Sequence, residues 1–299
     1  MTVIAGTDAP APHDDHHDDD HHDDDHDGPH DHDLGLHHDV SVLVGRRRIL
    51  GLLGGITVAG ALAACGQSTA SSTVTAAATG SGTPSTPTSP STGALAEVPD
   101  ETGGPFPADG SNGPNSLDDS GIVRSDIRSS YDISTNTADG VPLTIRLTTR
   151  DATTGDARAG AAVYLWHCNR EGQYSLYTVA TENYLRGVQE TDASGTVEFT
   201  SIFPAAYDGR WPHIHFEVYS SLADATSSGP IVKTSQIALP KETCDAVYAT
   251  AGYEASVSNL ARTSLTQDRV FGDDGGIHQI ASMSGDVTSG YTAALTIGV

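Results

Sequence analysis

Val141-Pro142-Leu143-Thr144-Ile145-Arg146-Leu147-Thr148 places an apolar side chain at every odd position. Side chains two apart on an extended strand share a face, so this stretch reads as a strand with one face buried. The same texture recurs at Ala162–His167, Thr196–Ile202, His213–Tyr219, Ile231–Leu239 and Tyr291–Ile297. Turn residues such as Asp192-Ala193-Ser194-Gly195 separate these runs. Pro240–Ala249 is a candidate short helix with proline at its first position. There is no long amphipathic helical pattern and no internal repeat. The expected fold is all-β, a β-sandwich with long loops and at most short helices.

Working outward, much of the 299-residue chain has little to bury. Residues 13–33 hold eight His and eleven Asp, and residues 67–97 are mostly Ser, Thr, Ala, Gly and Pro. Such segments lack the apolar surface that would offset the entropy of ordering them. The expected division is therefore 1–64 as an acidic extension plus signal peptide, 65–97 as a flexible tether, and 98–299 as the folded domain.

Arg46-Arg47-Arg48-Ile49-Leu50 leads into an apolar run ending Leu62-Ala63-Ala64-Cys65. Basic residues, a short apolar stretch and small residues before a cleavage point make up a signal peptide. The run is about 16 residues, short of the roughly 20 needed to cross a bilayer as a helix. The paired arginines resemble a twin-arginine export signal, and Leu-Ala-Ala-Cys resembles a lipoprotein box that would lipidate Cys65. An uncleaved membrane anchor is the alternative. Either reading expects the folded part outside the cytoplasm, attached to the membrane through Cys65.

The net charge of −24 argues against nucleic acid as a partner, because phosphate binding needs clustered Lys and Arg. Beyond Cys65 the balance is still 26 acidic against 12 basic residues. The His/Asp tract has the side chains of a metal buffer, but it lies before the expected cleavage point and reads better as a solvated extension. Cys168 and Cys244 are the two cysteines after Cys65. In an oxidising compartment the expectation is that they pair as a disulfide; two buried thiols are the alternative.

The stretch with most chemistry is His213-Ile214-His215-Phe216-Glu217-Val218. On a strand, His213, His215 and Glu217 share one face while Ile214, Phe216 and Val218 enter the core, so both imidazoles can converge on one ion. Two tyrosines precede it: Tyr207 in Pro204-Ala205-Ala206-Tyr207, and Tyr174 in Gly172-Gln173-Tyr174-Ser175. Tyr177 and Tyr184 are rivals for the second position.

The order of these motifs resembles the intradiol ring-cleavage dioxygenases, that is, the catechol, hydroxyquinol and protocatechuate dioxygenases. The matching run starts at Gly160-Ala161-Ala162-Val163-Tyr164-Leu165-Trp166-His167 and passes Gly172-x-Tyr174-Ser175 and Leu185-Arg186-Gly187. It continues through Thr191-Asp192, Gly195, Phe199-x-Ser201-Ile202 and Pro204-x-x-Tyr207 to Arg210-x-x-His213-Ile214-His215-Phe216. The resemblance covers roughly 98–299 and is densest over 140–220.

The resemblance implies a mononuclear non-haem iron(III) held by Tyr174, Tyr207, His213 and His215. A hard, trivalent cation favours anionic phenolate oxygen, with imidazole completing the set. It also implies that Tyr207 is the ligand that substrate displaces and serves as a base, and that Arg210 lies against the ring and stabilises developing negative charge. The substrates would be a small aromatic diol and dioxygen, and the products muconate-type diacids. Trp166 and His167 are expected to be strand packing and at best a partner behind a ligand. Where many relatives carry Gly-Pro-Tyr, this chain has Gly104-Pro105-Phe106 and lacks a hydroxyl. The helical dimerisation segment of the cytoplasmic catechol enzymes has no counterpart, so a monomer or a differently built dimer is expected. Two other readings stand beside this one: a surface-anchored β-sandwich binding module without activity, and a zinc or copper site held mainly by the histidines.

Overall fold

The computed structural model describes residues 94–299. The His/Asp tract, the twin-arginine stretch, Cys65 and almost all of the tether therefore lie outside the described residues.

Eight strands form two four-stranded sheets. The first contains β1 (Pro142–Arg150), β4 (Thr196–Ile202), β7 (Ser282–Asp286) and β8 (Gly290–Gly298), in the order β4-β1-β8-β7. The second contains β2 (Ala162–Trp166), β3 (Arg186–Glu190), β5 (His213–Tyr219) and β6 (Ile231–Ala238), in the order β3-β2-β5-β6. All neighbours are antiparallel except β1 and β8, which run parallel. Helices are short: α1 (Leu222–Ala225), α2 (Lys241–Tyr248) and α3 (Glu254–Ala261). No helix of the described residues is long and apolar enough to cross a membrane. The expected all-β sandwich is the observed architecture.

The alternation read in β1 is the sandwich interior. Leu143, Ile145 and Leu147 are fully buried and meet Val163, Leu165, Ile214, Phe216 and Val218 of the opposite sheet in one apolar cluster. Each expected strand is present. Those left unassigned, β3 and β7, have no apolar alternation: β3 opens on Arg186-Gly187, and β7 reads Ser-Met-Ser-Gly-Asp. Pro240 precedes α2 as its N-cap, with ψ at 139°, rather than starting the helix.

The second sheet is buried on both faces. Behind the sandwich core, Tyr164, Trp166 and Val188 point the other way into a separate cluster with Ile122, Tyr174 and Ala205. Loop segments from 104–138 cover this outer face; Arg124 N–H donates to Val188 O at 3.0 Å and Val188 N–H to Ile122 O at 2.8 Å.

The expected disulfide is not formed: Cys168 and Cys244 are both free and buried. Each thiol has an acceptor of its own, Ala205 O at 3.7 Å from Cys168 Sγ and Leu239 O at 3.8 Å from Cys244 Sγ. Burial pushes both thiols up, Cys168 to about 12 and Cys244 well above its ordinary value, so neither is a reactive thiolate. Alkylation of the unreduced, denatured protein should label both Cys168 and Cys244; a mass showing either one blocked by the other would contradict the packing.

Candidate metal centre

The outward face of β5 carries His213, His215 and Glu217, all about 2% exposed, as the alternation requires. His213 Nδ1 lies 2.6 Å from Trp211 O. A carbonyl can only accept, so the proton sits on Nδ1 and the Nε2 lone pair faces the cluster. His215 is fixed differently. The Trp166 indole stacks on its ring with centroids 4.9 Å apart and planes 4° from parallel, and Nδ1 has no hydrogen-bond partner.

Tyr174 reaches the same point from the loop after β2. Asn169 Oδ1 accepts the N–H groups of Glu171 and Gln173, closing the turn that presents Tyr174. Gly172 has a φ of +83°, and a Cβ there would lie 3.1 Å from Tyr207 Cβ, so a side chain would be both strained and crowded. Tyr174 is buried and Tyr207 half-buried. The rivals are elsewhere: Tyr177 Oη accepts from Ala108 N–H at 2.9 Å, and Tyr184 Oη lies 3.5 Å from Asn169 Nδ2.

Four polar atoms converge here. Tyr174 Oη is 3.3 Å from Tyr207 Oη, Tyr207 Oη is 3.0 Å from His213 Nε2, and the two Nε2 atoms are 3.1 Å apart. Arg210 Nη1 adds a fourth approach, 3.3 Å from His213 Nε2. One lone pair cannot accept from all three neighbours at once. Electronegative atoms gathered this closely fit a cation better than a hydrogen-bond network. Burial pushes the Tyr174 phenol well above its ordinary value, and Tyr207 beside it adds to the rise. Burial, then Arg210, holds His213 well below its ordinary value; burial, then His213, does the same for His215. Two neutral imidazoles and two phenols, of which the buried Tyr174 needs a strong positive charge to ionise, are a donor set suited to a hard, highly charged metal ion. Among the described residues, no group of three or more His, Cys, Asp or Glu is placed to hold a metal. A third imidazole, thiolate or carboxylate is thus not at hand for a histidine-dominated zinc or copper site.

Two residues that hold this arrangement, Asp268 and Gln236, carry no signal in the sequence. Arg210 is locked by Asp268 Oδ2, which accepts from Nε at 3.0 Å, and by Gln236 Oε1, which accepts from Nη2 at 2.6 Å. Arg186, fully buried, donates to Ser175 Oγ and Ser175 O at 3.0 and 2.9 Å and to Pro107 O at 3.0 Å. It so ties the Tyr174 loop to the loop bearing Gly104-Pro105-Phe106. Gly104, with φ at +72°, sits where a Cβ would be 3.3 Å from His215 Cε1. Phe106 packs on Tyr174 with centroids 4.9 Å apart, so the position without a hydroxyl lies beside the cluster. His167 bonds Ser201 Oγ and Cys168 O and none of the four donors.

No protein-family model matches the sequence, and no curated protein does. Among solved structures, an intradiol ring-cleavage dioxygenase from Tetranychus urticae superposes with a TM-score of 0.54 at 24% identity, over 68% of this chain and 94% of that one. This chain has the fold of an intradiol ring-cleavage dioxygenase. Weaker superpositions occur with the dioxygenase domain of a dioxygenase–carbohydrate-binding fusion from Streptomyces sp. SirexAA-E (TM-score 0.44, 19% identity, 68% and 98% of the two chains) and with catechol 1,2-dioxygenase from Pseudomonas arvilla C-1 (0.36, 22%, 58% and 55%).

One further carboxyl, outside the four-residue cluster, is strongly shifted. Burial, with Asp273 and Asp274 nearby, pushes the Glu101 carboxyl from 4.5 up to about 7. A carboxyl raised by folding stabilises the fold while protonated, fully below pH 4.5 and no longer above about 7. Glu101→Gln should therefore remove a fall in melting temperature across that pH window. An unaltered slope in the variant would show that Glu101 is not the group responsible.

Proposed function

We propose that this chain is an iron(III)-dependent intradiol dioxygenase that cleaves catechol-type rings between the two hydroxyl-bearing carbons, using dioxygen and yielding muconate-type products. The observation that carries the reading is the convergence of Tyr174, Tyr207, His213 and His215 beside the Arg210 guanidinium. Bound there, iron(III) would supply a Lewis acid that draws electron density from an aromatic diolate.

The chain's own groups have distinct tasks in this reading. Tyr174, buried and anchored through the Arg186–Ser175 contacts, is the permanent phenol ligand. Tyr207 is the more exposed of the two, and its Oη is the atom that takes a proton from the entering diol. His213 keeps its proton on Nδ1 against Trp211 O, leaving Nε2 free of it. Arg210 is fixed in place before substrate arrives, so stabilising negative charge on the ring costs no reorganisation. Phe106 and Gly104 form an apolar wall that offers substrate no hydroxyl.

We also read the chain as exported and held at the membrane through lipidated Cys65, a reading supported by the arginine-led apolar run before that residue. Small phenolic diols outside the cell would then be its substrates. A twin-arginine route would deliver the domain already folded and loaded.

Tyrosinate bound to iron(III) absorbs visible light, so iron-loaded protein should be coloured and the band should move when catechol is added without air. Tyr174→Phe and His215→Ala should lose both metal and colour while keeping the fold. A folded, iron-loaded parent that releases no diacid from any catechol on admitting air would overturn the activity. Arg210→Ala should retain iron and colour but turn over roughly 100-fold more slowly, the usual cost of removing one preorganised charge-stabilising donor. An unaffected rate would remove Arg210 from the chemistry.

A further inference from the structure

Asp268 is 58 residues from Arg210 in sequence and fully enclosed, yet every group that meets its carboxylate is a donor. Oδ2 accepts from Arg210 Nε at 3.0 Å and from the Trp211 backbone N–H at 2.6 Å. Oδ1 accepts from the N–H groups of Val270 and Phe271 at 2.8 and 3.2 Å and lies 3.5 Å from Arg210 Nη2. The same carboxylate therefore grips both the side chain at 210 and the main chain at 211. Trp211 then turns its carbonyl to His213 Nδ1. With Nε on Asp268 and Nη2 on Gln236, Nη1 is the edge of the guanidinium left to face the metal-ligand cluster.

We propose that Asp268 is a positioning residue that sets the orientation of Arg210 and, through Trp211, the tautomer of His213. The role rests on the dioxygenase reading only for its consequence in turnover; the positioning itself is a property of the folded chain. A carboxylate is required because guanidinium and backbone N–H groups offer no acceptor. An asparagine of nearly equal size would aim an NH2 group at donors, leaving one of them buried and unmatched.

The test compares the full-length parent with Asp268→Asn, Arg210→Ala and the double variant. In the metal-free parent, the Arg210 Nε–H proton should exchange slowly in nitrogen-edited NMR, and His213 should show the Nδ1–H tautomer. Both signatures should be lost in Asp268→Asn. With iron loaded, Asp268→Asn should keep its metal and lower kcat roughly 100-fold, as for a lost preorganised donor, and the double variant should be no slower than Arg210→Ala. Groups acting as one unit are not additive, whereas a general loss of stability would multiply with the arginine loss. Parental kcat in Asp268→Asn, multiplying losses in the double variant, or a persistent slow Arg210 proton in Asp268→Asn would each overturn the proposal. Should Asp268→Asn not fold, fast exchange of the Arg210 proton in the parent still overturns it, and slow exchange upholds it. A parent that holds no iron would sink the dioxygenase reading while leaving the metal-free measurements decisive for the positioning.

Discussion

Strand β5 is buried on both faces, and the rest of the structure answers that constraint. One face, Ile214, Phe216 and Val218, enters the sandwich core and needs only apolar neighbours. The other face puts two imidazoles and a carboxylate out of water, where an unmatched polar group is costly. Long loops must therefore close over the second sheet, and those loops must bring partners. They bring Tyr174, Tyr207 and Arg210 to the histidines, while Tyr219 Oη donates to Glu217 at 2.7 Å.

The two buried arginines solve this problem in different ways. Arg210 meets a carboxylate, Asp268, whose pKa burial would raise but which Arg210 and the backbone N–H groups hold below its ordinary value. Arg186 hydrogen-bonds neutral oxygens: Ser175 O and Oγ, Pro107 O and Tyr164 Oη. With four hydrogen bonds it acts as a staple that gathers loop carbonyls and hydroxyls. Burial, then His213, holds His215 below its ordinary value, and the positive charges of Arg210 and Arg186 add to that. The same field favours anions at the cluster.

The apolar wall at Gly104 and Phe106 follows from the same loop closure. Pro107 O is held by Arg186 and Tyr164, so the preceding residues lie across the His215 and Tyr174 rings. A phenylalanine there fills the space without asking for a hydrogen-bond partner. That neither Cys168 nor Cys244 is a reactive thiol is likewise a matter of packing, since both sit among apolar side chains with carbonyl acceptors of their own.

Most of the sandwich was legible in the chain because period-two alternation is a local property. Leu143, Ile145 and Leu147 announce β1, and His213 and His215 must share a face wherever β5 lies. The pairing of β1 with β8, more than 140 residues apart along the chain, carries no local mark, nor do the polar strands β3 and β7. The order of motifs picked out Tyr174, Arg186, Tyr207 and Arg210, but an isolated Asp268 or Gln236 looks like any surface residue. Residue order alone thus singled out the candidate side chains. Only the tertiary structure decided which carboxylate orients the arginine and whether two cysteines meet, because those outcomes depend on distances between segments that no local pattern encodes.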